Sequence, residues 1–202
     1  MNKFLKWLLI TIGIGVLLYV GFFIYAIVVF SGAFDSHYTE HDLVDNCNAK
    51  TKEITALKKY INSIVPAGKG VEIEFDGSRT LSIFHVIEQG NYDSHWDVSA
   101  SSPQAEILLK KLGWTQETLS ALKEKLDDAD CISIESGEPC TIGYKRSGMG
   151  MYSYKIFDKP LNDSLKSKYN DSCQYIFYKE NIVLEYGGGA VGPQCFEDLK
   201  NR

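Results

Sequence analysis

The chain has 202 residues, 45% of them hydrophobic and 23% charged, with a formal net charge of −5 at pH 7. This composition is typical of a folded domain with a hydrophobic core and excludes a wholly disordered chain. After residue 34 the chain keeps all 26 acidic residues and 19 of its 21 basic residues, a net charge of −7. Such a surface repels phosphate backbones, so we expect no nucleic-acid partner.

Residues 7–34 form a stretch of 28 residues without a charged side chain. A hydrocarbon core about 30 Å thick needs roughly 20 apolar residues in a helix, so the stretch predicts a transmembrane helix that serves as a signal anchor. Lys3 and Lys6 precede it, whereas the first basic residue after it is Lys50. Because basic flanks stay in the cytoplasm, we expect a single-pass protein of the cell membrane, with residues 1–6 inside and the rest extracytoplasmic.

A cleaved signal peptide is the alternative interpretation of this stretch. Ser31-Gly32-Ala33 resembles the small-residue site at which signal peptides are cleaved. The apolar core of a signal peptide has about 7–15 residues, which is shorter than this stretch. A buried core helix is a third interpretation, but no polar face interrupts the run.

All five cysteines follow the apolar stretch, and an extracytoplasmic location favours disulfides among them. Five sulfurs allow at most two bridges and leave one thiol free, and the connectivity stays open. We expect Cys47 to be free and the bridges to lie among Cys131, Cys140, Cys173 and Cys195. The simpler interpretation is that several are small buried side chains. No Cys-x-x-Cys pair or nearby Cys/His pair has the spacing of a zinc site.

Apolar residues recur at helical spacing from Leu43 to Ile64. The spacing predicts a helix with one apolar stripe, which needs a partner surface to cover it. We therefore expect residues 48–64 to pack on an extracytoplasmic domain that spans residues 48–202. Residues 35–47 are expected to form a juxtamembrane linker between the span and this domain.

Asp76-Gly77 is the strongest hairpin signal in the chain, because these residues suit the tight turn between two strands. Alternating side chains on both sides of it predict strands at Val71–Phe75 and Thr80–Glu88. The next segment, Gly90–Ser101, is polar and is predicted to be a loop.

Ser102 and Thr115 suit the N-caps of two helices, which are expected to end near Leu112 and Leu126. After this helical hairpin, turn residues separate short runs of strand-forming residues. The element order predicts an α+β fold: a single N-terminal transmembrane helix followed by an antiparallel β-sheet domain of five to seven strands with two or three helices on one face. The later elements are expected as strands at 131–135, 140–145, 151–157, 173–178 and 182–186, with a short helix within 160–168.

Two motifs invite a chemical interpretation, but a simpler structural one fits each. His37-Tyr38-Thr39-Glu40-His41 matches the His-x-x-Glu-His pattern of a class of zinc peptidases. It directly follows the span, where a cleft is hard to build, so a polar linker is the simpler interpretation. Gly187–Gly192 invites a phosphate-loop interpretation, but no helix pattern follows it, so a flexible turn is expected. We predict neither a metal nor a cofactor.

His95 lies between Asp93 and Asp97 in the predicted polar loop. Such a group could form a catalytic pair or a weak metal site, although Asp and Ser are also ordinary turn residues. His85 lies in a strand and is interpreted as a buried or edge histidine. Serines that could act as nucleophiles lie nearby at Ser99, Ser101 and Ser102.

A glycine turn with two methionines is the most suggestive stretch for binding. Met149 and Met151 lie in this turn, and Tyr152 and Tyr154 follow them. Methionine and tyrosine suit adaptable contact surfaces, so we expect these four residues to bind a partner if they are exposed. The alternative is that the methionines fill the core.

The sequence therefore favours a membrane-anchored extracytoplasmic domain that binds or inhibits another protein at the cell envelope, without catalysis. One alternative is a small envelope hydrolase, metal-dependent if it uses His37 and His41 and otherwise based on the His95 loop. Another alternative is a structural subunit of a membrane complex, which would associate through residues 7–34.

Overall fold

The computed structural model describes residues 3–30, 38–148, 150–171, 173–187 and 192–196. The chain divides into two compact units, Met1–His37 and Tyr38–Arg202. Within the described residues, the first unit contains one helix and the second contains a sheet with its helices.

Helix α1 (Lys3–Phe30) accounts for the first unit. Its segment Ile10–Ile27 has a mean hydropathy of 2.3, and none of it is buried. The one polar side chain in this helix for which a contact is seen, Thr11, donates its hydroxyl to the carbonyl of Trp7 at 3.0 Å, which satisfies it within the helix. The helix is long and apolar enough to cross a membrane, which suggests a membrane anchor or a signal sequence.

The second unit is an α+β domain with an eight-stranded antiparallel sheet, which confirms the predicted fold class and adds one strand to the expected maximum. The strands lie in the order β3-β2-β1-β4-β5-β6-β8-β7. The elements are α2 (Glu40–Ala49), α3 (Thr51–Ile64), β1 (Lys69–Asp76), β2 (Thr80–Glu88), β3 (Asn91–Ser99), α4 (Pro103–Leu112), α5 (Gln116–Asp128), β4 (Ser133–Glu135), β5 (Cys140–Ser147), β6 (Gly150–Ile156), α6 (Asp163–Lys168), β7 (Tyr175–Lys179) and β8 (Ile182–Gly187).

The element order repeats within this domain. Two helices and three strands, α2–α3 with β1–β3, are followed by a second set, α4–α5 with β4–β6. The two sets meet where β1 pairs with β4 in antiparallel fashion. The centre of the sheet is therefore a junction between two similar halves, although no repeat is visible in the residues themselves.

The core lies between helices α2–α5 and one face of the sheet. Ile54, Leu57 and Ile61 recur at helical spacing on α3, and all three are buried. On β1, Val71 and Ile73 point to the same core because side chains alternate along a strand. Four helices thus contribute to this core, where two or three were expected.

The helix termini agree with the expected capping residues. The Ser102 hydroxyl accepts a hydrogen bond from the Ala105 amide at 3.2 Å, and Pro103 occupies the first turn of α4. Gly113 ends α4 with a φ of 68°, a left-handed conformation that favours glycine. Thr115 caps α5 through the Thr118 amide.

The domain begins earlier than the sequence indicates. Residues 38–47, expected mostly as linker, include most of α2, and both Leu43 and Cys47 are fully buried. The Tyr154 hydroxyl donates to the Leu43 carbonyl at 3.0 Å and accepts from Asn46 Nδ2 at 3.1 Å. The prediction of a linker fails because the apolar stripe continues through α2 and holds it on the sheet.

The expected loop at residues 90–101 is instead mostly the edge strand β3. It pairs with β2 along its length, and most of its side chains are exposed. Tyr92 and Trp96 are among these exposed residues. An edge strand that buries neither face has no apolar alternation, so its sequence resembles that of a loop.

Lys58 is a buried charge that the sequence did not reveal. Its ammonium group lies 2.7 Å from Glu138 Oε2 and 2.8 Å from Asp158 Oδ1, and it donates to the Ile156 carbonyl at 2.8 Å. The hydrogen bond and the charge of Lys58 lower the pKa of Asp158 below its usual value. This cluster ties α3 to the β4–β5 turn and to the end of β6.

We expect Tyr154→Phe to lower the free energy of unfolding by about 1–2 kcal/mol, because the Leu43 carbonyl and the Asn46 amide lose a buried partner. Urea unfolding of the full chain in detergent measures this change. Tyr92→Phe, on the exposed edge strand, is the matched control and should change stability by less than about 0.5 kcal/mol. Equal effects of the two substitutions would contradict the structural role of Tyr154.

Candidate functional site

A concave groove of about 810 Å³ lies on the face of the sheet opposite the core, which we call the open-face groove. Helix α6 and its flanking residues cover this face only at the β7–β8 end, where Phe157 and Leu161 pack on Val183. The principal lining side chains come from seven strands: Glu72, Glu74, Ile83, His85, Trp96, Ser133, Glu135, Thr141, Arg146, Met151, Ser153, Lys155 and Glu185.

Strand alternation explains why this face is charged. On β1, Glu72 and Glu74 point away from the core that their neighbours fill. The register then places Glu72 directly between His85 on β2 and Glu135 on β4. A row of ionisable side chains therefore crosses the centre of the sheet, where the two halves meet.

A bidentate ion pair joins the two halves beneath the groove. Arg146 Nε donates to Glu74 Oε1 at 2.5 Å, and Arg146 Nη2 donates to Oε2 at 2.6 Å. The Glu74 side chain is only 5% exposed, so this charge depends on its partner. The hydrogen bond to Glu74 raises the pKa of Arg146 above its usual value.

Small residues allow this ion pair to form across an intervening strand. Strand β4 lies between β1 and β5, and Ser133 at its start is flanked by Glu74 and Gly143 in the pairing register. A Cβ on Gly143 would lie 2.0 Å from Ser133 Oγ, so a larger side chain would displace the serine. The missing side chain of Gly143 leaves room for Ser133 Oγ and for Met151, whose Sδ would lie 3.0 Å from such a Cβ.

A second ion pair closes the far end of the groove. Lys155 Nζ lies 2.9 Å from Glu185 Oε2, and both side chains are mostly buried. Ser153 Oγ donates to the same oxygen at 3.1 Å, and Gln174 Nε2 donates to Oε1 at 3.2 Å. Glu185 is therefore fully engaged by its neighbours.

The centre of the groove holds two carboxylates side by side. Glu72 and Glu135 face each other across β1 and β4, and no cation forms an ion pair with Glu135 among the described residues. Desolvation in the groove, and then the charge of Glu72, raise the pKa of Glu135, although its side chain still reaches solvent. Like charges placed opposite each other in a sheet are destabilising, so this arrangement lacks a structural benefit.

His85 extends this acidic pair towards β3. Its Nδ1 lies 3.1 Å from Glu72 Oε2, and because an ionised carboxylate only accepts, Nδ1 carries the proton of this bond. The residue is 8% exposed, and its Nε2 has no hydrogen-bond partner among the described residues. A buried ring nitrogen without a partner costs free energy unless a ligand satisfies it.

Trp96 stands over His85 at the edge of the sheet. The two rings meet edge to face with centroids 4.8 Å apart, yet Trp96 remains 60% exposed. Beyond Trp96 a second concavity of about 520 Å³ continues the groove past Asp76 and Asp97. The exposed indole thus separates two connected concave regions.

The groove carries an excess of negative charge. Four glutamates line it, against Arg146 and Lys155 as the lining cations apart from His85. These two cations are engaged with Glu74 and Glu185, as described above. At the centre, Glu72 and Glu135 form no ion pair with lysine or arginine among the described residues, although the charge of Lys155 acts on Glu135 and the charge of Glu72 acts on Arg146.

The predicted contact surface divides between core and groove. Tyr152 and Tyr154 are fully buried, so they do not meet the condition of exposure on which their predicted role in binding depended. Met151, in contrast, lines the groove. Alternation along β6 explains the difference, because residues two apart point to the same face. Met149 lies outside the described residues.

The cysteines differ from the expectation at two positions. Cys173 and Cys195 form a disulfide, which is consistent with an extracytoplasmic domain. Cys131 and Cys140, expected to be bridged, are free and buried, as is Cys47. They lie within the core as small apolar side chains, and burial raises the pKa of Cys131 and of Cys140 to about 12.

The histidine loop does not assemble a catalytic group. His95 and Asp93 lie on the helix-facing side of β3, where Asp93 pairs with Lys111. Asp97 has a φ of 50° and lines the second concavity instead. The nearby serines make local hydrogen bonds: Ser99 Oγ and Ser101 Oγ are hydrogen-bonded to each other, and Ser102 caps α4.

The two remaining motifs form no site among the described residues. Helix α2 begins at Glu40 with Thr39 as its N-cap, and His41 pairs with Asp45 at 3.3 Å. His37 and most of the glycine-rich segment, residues 188–191, lie outside the described residues. In the part of the chain that the structure describes, no group of three or more His, Cys, Asp or Glu residues is arranged to hold a metal.

Comparisons with protein-family models, with curated proteins and with solved structures give no match for this chain.

The sequence interpretation missed the groove because its residues are distant in the chain. Glu72 and Glu74 were visible as the polar side of a strand. Glu135, Arg146 and Glu185 come close to these two residues only because of the order of the strands in the sheet, which cannot be read from the sequence. The one sequence signal for the groove was the alternation of polar and apolar residues in several strands, which indicates a sheet with one solvent-exposed face.

We expect Glu135→Gln to raise the free energy of unfolding by about 0.5 kcal/mol near neutral pH, because it removes a like-charge contact with Glu72. The folded-state pKa of Glu135 lies above its usual 4.5, so the charge penalty is absent below that value and grows as the pH rises through the folded pKa. Urea unfolding at about pH 7.5 and about pH 3.5 should show a gain only at the higher pH. Glu124→Gln, exposed on α5, is the control, and a gain that persists in acid would contradict the account.

We expect Arg146→Met to lower the free energy of unfolding by about 3 kcal/mol, because it leaves the buried Glu74 carboxylate without a partner. Adding Glu74→Met should restore stability to within about 1 kcal/mol of the parent, since two apolar side chains replace the pair. Urea unfolding of both variants measures the coupling. Additive losses in the double variant would show that the two side chains act independently.

Proposed function

We propose that this chain is a membrane-anchored protein whose extracytoplasmic domain binds another protein of the cell envelope, without catalysis, through the open-face groove. The observation that carries the proposal is the excess of negative charge along a concave sheet face, with Glu72 opposite Glu135 at its centre. On a surface with no role beyond solubility, we expect like charges to be separated. Here Glu72 lies directly opposite Glu135.

The location rests on the first unit and on the disulfide. Helix α1 supplies an apolar segment of sufficient length, and the basic residues Lys3 and Lys6 at its start favour a cytoplasmic N-terminus. The Cys173–Cys195 disulfide supports an oxidising compartment for the domain. Together they support a single-pass anchor with residues 38–202 outside the cytoplasm.

The dimensions of the groove favour a polypeptide as the ligand. Trp96 on β3 and Glu185 on β8 are separated by six strand spacings of about 4.8 Å, or about 29 Å along the sheet. An extended segment of about nine residues has this length. The exposed Trp96 and the lining Met151 supply side-chain types that are enriched at protein interfaces.

The charged lining side chains are held in place by ion pairs, which favours recognition of a partner. Glu74 and Arg146 hold each other, and Lys155 holds Glu185, so these groups form fixed features of the surface. Preorganised charges of this kind lower the cost of ordering the interface on binding.

Site-specific photocrosslinking in native membranes tests the proposal. With a benzophenone amino acid in place of Trp96, we expect one discrete protein adduct. The same amino acid in place of Ile107, which is exposed on α4, is the matched control and should give none. Replacing residues 7–34 by an unrelated span should leave the adduct intact. An adduct only at the Ile107 position, no adduct at all, or an adduct that depends on the original span would contradict the proposal.

A further inference from the structure

We infer that the centre of the open-face groove is a subsite for a basic side chain of the partner protein, formed by Glu72, Glu135 and His85 beneath Trp96. The inference rests on the proposed function and specifies what the partner must present. Its chemistry is that of an arginine or lysine side chain inserted between two carboxylates.

The subsite is built of hydrogen-bond acceptors. Both carboxylates accept, and because Glu72 engages His85 Nδ1, the unpartnered Nε2 is an acceptor as well when the ring carries only its Nδ1 proton. Once the Nδ1 proton is used in this way, the three side chains offer a ligand only oxygen and nitrogen lone pairs. A ligand that satisfies them must bring several N–H donors, which is the property of a guanidinium or ammonium group.

The walls of the subsite fit the remainder of such a side chain. Ile83 and Met151 line the groove on either side of the acidic pair and offer apolar surface to a methylene stem. Trp96, exposed over His85, presents an indole on which a cation can stack. A bound side chain would contact the exposed Trp96 on its way to Glu72 and Glu135.

Charge complementarity points to the same ligand. The excess charge of the groove lies at Glu72 and Glu135, and residues 35–202 carry a net charge of −7. A basic segment is attracted to this acidic domain before contact, and it can pair with Glu72 and Glu135, which form no ion pair with lysine or arginine among the described residues.

A polypeptide is favoured over a free cation as the source of the charge. The groove extends about 29 Å and continues into the second concavity, much farther than a single ion or small diamine reaches. Arginine is favoured over lysine, because its planar fork can bond both carboxylates and stack on Trp96 at once.

Selection from a random peptide library tests the inference before the partner has been identified. Full-length chain in nanodiscs of neutral lipid is used to select displayed peptides of about nine random residues, matched to the length of the groove. We expect arginine, and to a smaller extent lysine, to be enriched on the parent chain. Selection on Glu135→Gln should lose this enrichment, whereas selection on Glu124→Gln, which removes the same charge from exposed α5, should keep it.

The best selected peptide is then used to test the contribution of the charge of one side chain to binding. Replacing its arginine by citrulline, which has nearly the same shape and no charge, should weaken binding to the parent chain by about tenfold. The same replacement should have almost no effect on Glu135→Gln, because the variant has already lost the discriminating contact. Spermidine and calcium ions, added separately as competitors, should not displace the peptide at comparable concentrations.

Three results would overturn the subsite: absence of basic enrichment, equal binding of arginine and citrulline peptides, or enrichment that survives Glu135→Gln. Displacement by spermidine or calcium at peptide-like concentrations would overturn a partner side chain as the occupant. If photocrosslinking through the groove succeeds while these tests fail, the proposed function stands and only the basic-side-chain inference falls.

Discussion

The ion pair between Glu74 and Arg146 is the interaction on which the open face of the sheet depends. It joins β1 of the first half to β5 of the second half across the start of β4, and its carboxylate is almost completely buried. Helices α2–α5 cover the other face, and among the described residues the apolar cluster around α6 covers this face at the β7–β8 end and not at the junction of the halves. The pair stabilises the junction and engages Arg146, while the neighbouring Glu72 and Glu135 form no ion pair with lysine or arginine among the described residues.

The same alternation that builds the core builds the groove. Each central strand gives one set of side chains to the helices and the other set to solvent, so Tyr152 and Met151 have opposite roles although they are adjacent. Side chains in the core follow the usual preferences for burial and pairing. The centre of the open face departs from these preferences, because like charges face each other there and His85 Nε2 has no partner among the described residues. Departures of this kind are expected where a protein binds a ligand.

Local signals predicted the elements well, and long-range pairing limited the rest. The Asp76-Gly77 turn and the Ser102 and Thr115 caps act over a few residues, so the sequence alone located them. Strand β3 was missed because an exposed edge strand shows no apolar alternation. The groove was missed because Glu72 and Glu135 are brought together only by the pairing of β1 with β4, across the two helices α4 and α5.

The central claim is that the partner covers the open face at Glu135. Carboxyl footprinting, in which a carbodiimide couples a small amine to accessible carboxylates, measures this directly in native membranes and in the purified full chain. We expect Glu135 to be modified in the purified chain and protected in native membranes, while Glu124 on exposed α5 is modified equally in both. Equal modification of Glu135 in the two preparations would contradict the claim.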